Sequence, residues 1–196
     1  MPATLSPQYD SSKFLLTSVN ILLQMINQLP VDSEDEFVNV LEAQIAQSVI
    51  TETTKEVLSD EWDVNRDEDY SLAPDVNGYI NIPANILDIY DTRGRYKMVD
   101  WRLYDKQGQT ALFAEPVSLS IVWDTPFNAL THPLRNYITI RAARRFQARQ
   151  VMDTNMYSYS KEDEDMAYKI ARRSEAKTGK YNMLTSGQFG GTAGAR

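Results

Sequence analysis

The chain has 196 residues, 42% of them hydrophobic, and carries 27 acidic against 20 basic residues for a formal net charge of −7. This accommodates one domain, or one domain with an inserted part, around a core of ordinary size. The lack of cysteine excludes disulfides, thiol nucleophiles and Cys-based metal sites and favours an intracellular site of folding, no apolar run is long enough to cross a membrane, and MPATLSPQYD lacks the charged and apolar regions of a signal peptide.

Asp10-Ser11-Ser12 offers N-caps to KFLLTSVNILLQMINQ. There Phe14, Leu15, Val19, Leu22, Leu23 and Ile26 recur at helical spacing, which predicts a helix over about 12–28 ended by Leu29-Pro30. Asp32-Ser33 caps a second helix. Glu34, Asp35 and Glu36 favour the positive end of its dipole, and the apolar positions Phe37, Leu41, Ile45, Val49 and Ile50 carry it to about Leu58. Past Trp62 the period changes. WDVNRDEDYSLAPD alternates loosely, YINIPANILDIYD reads as strand, proline and strand, and YKMVDWRLYDKQGQTALF reads as a hairpin turning at Lys106-Gln107-Gly108-Gln109. VSLSIVWD is the cleanest strand, with Val117, Leu119, Ile121 and Trp123 on one side. Helix returns at His132-Pro133, with Leu134, Tyr137, Ile138, Ile140 and Phe146 as its apolar face. Residues 152–159 read as a loop. Ser160 then caps KEDEDMAYKIARRSEAKTG, acidic first and basic last, with Gly179 as its end.

Neither helix pair can bury its apolar stripe alone. The expected fold is therefore α+β: a four-helix bundle made by the N-terminal (1–61) and C-terminal (131–179) helix pairs, with a small, mostly antiparallel β-sheet inserted at 62–130 and an extended C-terminal arm at 180–196.

No Gly-x-Ser-x-Gly, phosphate loop, dinucleotide fingerprint or His-Glu-x-x-His is present, and the single histidine, His132, sits at a helix entry. Asp67, Glu68, Asp69 and Asp75 surround Tyr70, and Trp62 and Tyr79 could stack a sugar, so a glycan hydrolase acting on host capsule or cell wall is one alternative. The same stretch lacks the spacing of a calcium loop. No cofactor or metal is expected. Charge is uneven: 31–91 holds sixteen acids against Lys55 and Arg66, a balance of −14, whereas 131–150 holds five arginines and no acid. Of these, Arg141, Arg144, Arg145 and Arg149 fall mostly on one helix side. A DNA-binding packaging factor is a second alternative, but the acidic remainder opposes it. Pairing of those arginines with acids of the second helix, or across a subunit interface, is the favoured account.

With these segments placed, the chain resembles the tail tubular protein A family of short-tailed bacteriophages (podoviruses), the head-to-tail adaptor or gatekeeper. The likeness runs from about Leu16 to Leu184. It rests on a helix ending before Pro30, EWDVNRDEDYSLAPD with its Trp-x-apolar-Asn and Leu-x-Pro-Asp, YINIPANILDIYD, RLYDK, PLRNYITIRAARRFQARQV, and YNML opening the tail. The resemblance implies a structural virion protein without enzymatic activity, a helical bundle with a β insertion, and a homo-oligomeric ring of twelve copies. That ring would join the portal protein to the tail nozzle protein (tail tubular protein B type), with a tail fibre protein as a further partner. It would sit at the head–tail junction of the virion, be made in the host bacterial cytoplasm, and form part of the DNA ejection channel without specific DNA binding. Tyr181, Asn182, Met183 and Leu184 match the start of the family's docking segment, and Phe189 is a further apolar anchor among Gly190, Gly191 and Gly194. Fully extended, such an arm spans at most about 55–60 Å, enough to leave its own subunit. In a ring, Asp63, Asp67, Glu68 and Asp69 would line the channel, where like charge keeps DNA from sticking.

Overall fold

The computed structural model describes residues 13–60, 62–91, 93–150 and 159–185. Its helices are α1 (Lys13–Met25), α2 (Leu41–Leu58), α3 (His132–Gln150) and α4 (Lys161–Thr185), and its strands are β1 (Arg66–Leu72), β2 (Ile86–Tyr90), β3 (Tyr96–Val99), β4 (Arg102–Asp105) and β5 (Val117–Trp123). The fold is mixed helix and sheet, as expected. Among the described residues no helix is long and apolar enough to cross a membrane.

α1 buries Ser18, Val19, Leu22 and Leu23, the predicted stripe. It stops earlier than predicted because Asn27 takes a left-handed φ of 57°. Gln28 N–H then bonds Leu23 O at 3.0 Å and Asn27 N–H bonds Gln24 O at 3.1 Å, a Schellman end in which asparagine stands where glycine is usual. The caps proposed at 10–12 lie outside the described residues.

The second predicted helix is two elements. Glu34–Asn39 is a 3-10 helix, Val40 is extended, and α2 begins at Leu41. The sequence stripe fails at the break: Phe37 is buried, but Leu41 is 64% exposed. Within α2 the predicted Val49 and Ile50 are buried, and Ala43, Ala46 and Thr53 are buried beside them. Gln44 stitches the break, its side-chain amide donating to Val38 O at 2.8 Å and its backbone N–H to Val40 O at 3.1 Å.

α4 starts as predicted. Asp163 N–H donates to Ser160 Oγ at 3.1 Å and Ser160 N–H to Asp163 Oδ2 at 2.8 Å, a reciprocal cap. Its end is a correction. The helix passes Gly179 and runs to Thr185, so residues 180–185 are helical rather than extended. A glycine inside a helix costs only about 1 kcal/mol.

The chain divides into two compact units, Met1–Thr54 with Pro126–Ile170 and Lys55–Thr125 with Ala171–Arg196. In the first, α1 packs on α3: Ser18 Oγ lies 2.9 Å from Thr139 Oγ1, and the Arg135 guanidinium sits 3.7 Å over the Phe14 ring. α3 buries Leu134, Tyr137, Ile138, Ala142, Ala143 and Phe146, more of its circumference than the sequence stripe implied.

In the second unit a three-stranded antiparallel sheet has the order β1-β5-β2, and β3 and β4 form a separate hairpin. Leu72, Ile80, Ile82, Ile86, Leu103, Leu119 and Ile121 make the core. β5 sits centrally, which fits its clean alternation. β1 carries a bulge between Asp67 and Tyr70, with Asp69 at φ 56°. The predicted Lys106–Gln109 turn forms, but β3 and β4 turn at an earlier place. β3 and β4 pair Val99 with Arg102, so Asp100 (φ 51°) and Trp101 (φ 59°) form a two-residue turn, with both central residues left-handed. Lys106–Gln109 makes a tight loop closed by the Asp105–Thr110 bridge.

Asp105 builds that loop. Its carboxylate accepts from Arg95 Nε at 2.9 Å, from Gln107 N–H at 2.8 Å and from Gly108 N–H at 3.0 Å. A Cβ on Gly108 would stand 2.9 Å from Asp105 Oδ2, so any other residue there would push the carboxylate away from its place. The Arg95 hydrogen bond, then the Gly108 amide, hold the Asp105 carboxyl far below the usual carboxylate range. A depressed folded value stabilises the fold above the unfolded value of about 4, and that gain is lost as pH falls below it. Asp105→Asn is expected to lower the melting midpoint at neutral pH by about 2–4 °C, and the gap from wild type should close in melts taken progressively below pH 4. An unchanged gap at acid pH would contradict this.

The Trp62–Asn65 turn links α2 to β1. Trp62 is buried, and its indole N–H donates to Val57 O at 2.7 Å. Asn65 Oδ1 accepts from Trp62 N–H at 3.0 Å, while its Nδ2 donates to Leu58 O and Trp123 O, each at 3.0 Å. The Arg172 guanidinium lies 3.7 Å over the Trp62 ring, and its Nη1 is 3.0 Å from Glu175 Oε2. The Trp-x-apolar-Asn stretch is thus a structural knot.

Candidate functional site

The four predicted arginines follow from helical spacing on α3, and the structure gives them partners within the chain. Arg149 pairs with Glu52 of α2 at 3.0 Å, both side chains exposed. Arg145 Nη1 lies 3.5 Å from Thr53 Oγ1. Arg144 forms a short ion pair with Glu164 of α4. Arg141 donates to Tyr137 Oη at 2.7 Å and stands 3.8 Å from Glu164 Oε1. Arg141, Arg144 and Arg145 line one recess of about 260 Å³, together with Ala148 and Glu164.

Glu164 is the residue that sequence reasoning missed. In the sequence it reads only as one of the acids at the start of α4. Its spacing to Ala167 and Ala171, three and then four residues, would have marked it as inward-facing, and all three are buried. Burial of a carboxylate demands a partner, and the arginines of α3 supply it. Its neighbour Asp165 faces outward and takes an ion pair from Lys161 at 2.7 Å.

The acids predicted to line a channel occupy one short stretch. Asp63 opens the turn after Trp62, and its N–H donates to Glu175 in a short contact. Asp67, Glu68 and Asp69 lie on β1, all exposed. Asp67 Oδ2 accepts from the Trp123 indole at 2.8 Å, and Glu68 pairs with Arg66 at 3.1 Å. Asp75 accepts from Asn77 N–H at 2.8 Å, Tyr79 N–H at 2.9 Å and Asn81 Nδ2 at 3.1 Å. Those bonds, the Tyr79 amide first, lower its pKa. It shapes the turn completed by Gly78, whose φ is 82°.

The sugar-stacking platform does not form. Trp62 is buried beneath Arg172, and the Tyr79 ring is covered by Arg102 at 4.4 Å. Among the described residues no group of three or more acids or histidines is placed to hold a metal ion. Residues 181–184 belong to α4, and Phe189 lies outside the described residues.

Comparison with known proteins adds two findings. The family model described as "Tail tubular protein" matches residues 16–181. The "Tail tubular protein A" of Klebsiella phage KP34 is 33% identical over 90 residues, which is 45% of this chain and 48% of that relative. The match therefore spans about half the length of the curated relative.

Proposed function

Because the chain belongs to the tail tubular protein family, whose members are structural proteins of the phage tail, we propose that it is a non-enzymatic adaptor ring between the portal protein and the tail nozzle protein. In this reading twelve copies close a ring at the head–tail junction of a podovirus, accessible to a tail fibre protein, and the ring forms part of the DNA ejection channel. The protein would be made in the host bacterial cytoplasm and enter the virion there. The observation that carries it is the reach of the family match, which begins within α1 and ends within α4 and so takes in elements of both units.

Several features support the finer points. In the first unit α1, the N-terminal part of α2, α3 and the start of α4 form a four-helix bundle in this reading. Its contacts include the Ser18–Thr139 pair, the Arg149–Glu52 pair and the packing of Tyr137 on Tyr168, with ring centroids 5.3 Å apart. The inserted sheet, 62–130, and the docking segment from residue 180 are the parts that meet other proteins. The exposed acids Asp63, Asp67, Glu68 and Asp69 suit a surface that DNA must pass without adhering. The arginines of α3 lie where charge pairing can extend across subunits.

The test mixes the purified chain with portal rings of its own phage and images the product by electron microscopy. The adaptor reading expects a second ring stacked coaxially on the portal. Portal rings that stay bare at high protein concentration would reject it.

A further inference from the structure

We propose that the outer stripe of α4 docks on the turn before α2 of a second copy of this chain; the inference rests on the ring assembly above and names its contact. Lys169, Arg173 and Lys177 step by four along α4, and Met166 and Ile170 each stand three residues before one of these bases. That spacing puts all five on one side of the helix. All five are exposed, Met166 to 64% and Ile170 to 50%. The inner side is already occupied, since Glu164, Ala167 and Ala171 are buried. No acid interrupts the stripe from Met166 to Lys177: Glu175, the acid in that stretch, pairs with Arg172 at 3.0 Å. Asp165, just before it, pairs with Lys161 at 2.7 Å. An apolar centre with a rim of one charge sign is the make-up of a protein interface.

The chain carries the complementary surface. Leu29 (83% exposed), Val38 (73%) and Leu41 are apolar groups left in water around the turn before α2. Asp32, Glu34, Asp35 and Glu36 fall among them with no base. Glu36 is engaged inside the turn, accepting from Asp32 N–H at 3.2 Å, while the Asp32 and Asp35 side chains are exposed. Asp35 and Val38 stand three apart on a 3-10 helix, where such residues share a side. Apolar groups therefore meet apolar groups, and acids meet bases, when the stripe lies on this turn. A duplex fits less well, because it would leave Met166 and Ile170 in water and approach a chain of net charge −7. Stripe and turn are different patches, so the contact is heterologous, and such contacts generate rings when the rotation closes.

The test assembles the full chain on portal rings and images the product, with circular dichroism confirming the fold of each variant. One variant combines Lys169→Glu with Arg173→Glu, and the other Asp32→Lys with Asp35→Lys. Each sets like charges against each other, so each alone is expected to need at least about tenfold more protein to form a ring. An equimolar mixture should recover assembly, because in alternate copies every stripe then meets a turn of opposite sign. Met166→Gln with Ile170→Gln removes the apolar centre without touching charge and should weaken assembly as well. If wild type forms no ring on the portal, the ring reading fails and this inference with it. If wild type forms rings and either folded charge variant does so equally well, or a mixture of the folded variants recovers nothing, this inference alone is overturned. Should the lysine pair not fold, assembly of the glutamine pair at wild-type strength overturns it instead. Binding of a short DNA duplex that Lys169→Glu with Arg173→Glu abolishes, with ring assembly intact, would assign the stripe to phosphate and overturn it too.

Discussion

Trp62→Ala is expected to destabilise the sheet-bearing unit by about 3–5 kcal/mol, the largest stability loss from any single side chain in it. The indole is 2% exposed and sits where three segments of that unit meet. Truncation removes its packing and the indole hydrogen bond that reaches Val57 O at 2.7 Å; Val57 O keeps its bond from Asp60 N–H at 3.1 Å, so the lost bond costs about 0.5–1.5 kcal/mol. It also removes the ring beneath Arg172, a stacking that contributes about 0.5–2 kcal/mol. These terms overlap and do not simply add. Trp62→Phe separates them, since it keeps most of the packing and loses the N–H, so its cost should be roughly a third to a half of the alanine value. Urea unfolding of both variants measures the difference. A Trp62→Ala protein as stable as wild type would show that the turn is not the knot described.

The second large effect is functional. Removing residues 180–196 is expected to leave a folded protein that no longer docks on portal rings. Residues 181 and 184 stand three apart in the sequence, within the last part of α4. A tyrosine and a leucine there, if buried against a partner, contribute about 1.5–3 kcal/mol each. Repetition around a ring turns such modest anchors into strong avidity. The double substitution Tyr181→Ala, Leu184→Ala should reproduce most of the defect without shortening the chain. Docking by the truncated chain at wild-type strength would end the proposal. Because α4 continues through Gly179 to Thr185, the proposed docking segment would begin on a helix, not on a freely extended strand. That reduces the reach argued from contour length and reduces the entropy lost on binding.

How far the sequence foretold the structure depends on what each residue had to signal. β5 was legible because Leu119 and Ile121 alternate with polar neighbours on a strand that is central in its sheet. The start of α4 was legible because a serine cap followed by acids has one structural meaning. The turn at Lys106–Gln109 was legible; the turn of β3–β4 was not, since Asp100-Trp101 takes left-handed angles without glycine. At the legible turn, a Cβ on Gly108 would also crowd the Asp105 carboxylate. The break before α2 was hidden because Phe37 and Leu41 keep a helical interval across it, though only the first is buried. In the candidate site the arginines were legible as a cluster. Their link to Glu164 was not, because a single buried acid among four looks like the rest until α4 has a direction.

The most direct measurement of the central claim is a reconstruction of the intact virion at a resolution that traces side chains. The account predicts a ring of this chain immediately below the portal, with the end of α4 against a different protein. Finding the polypeptide elsewhere in the particle, or as isolated copies that do not touch one another, would contradict it.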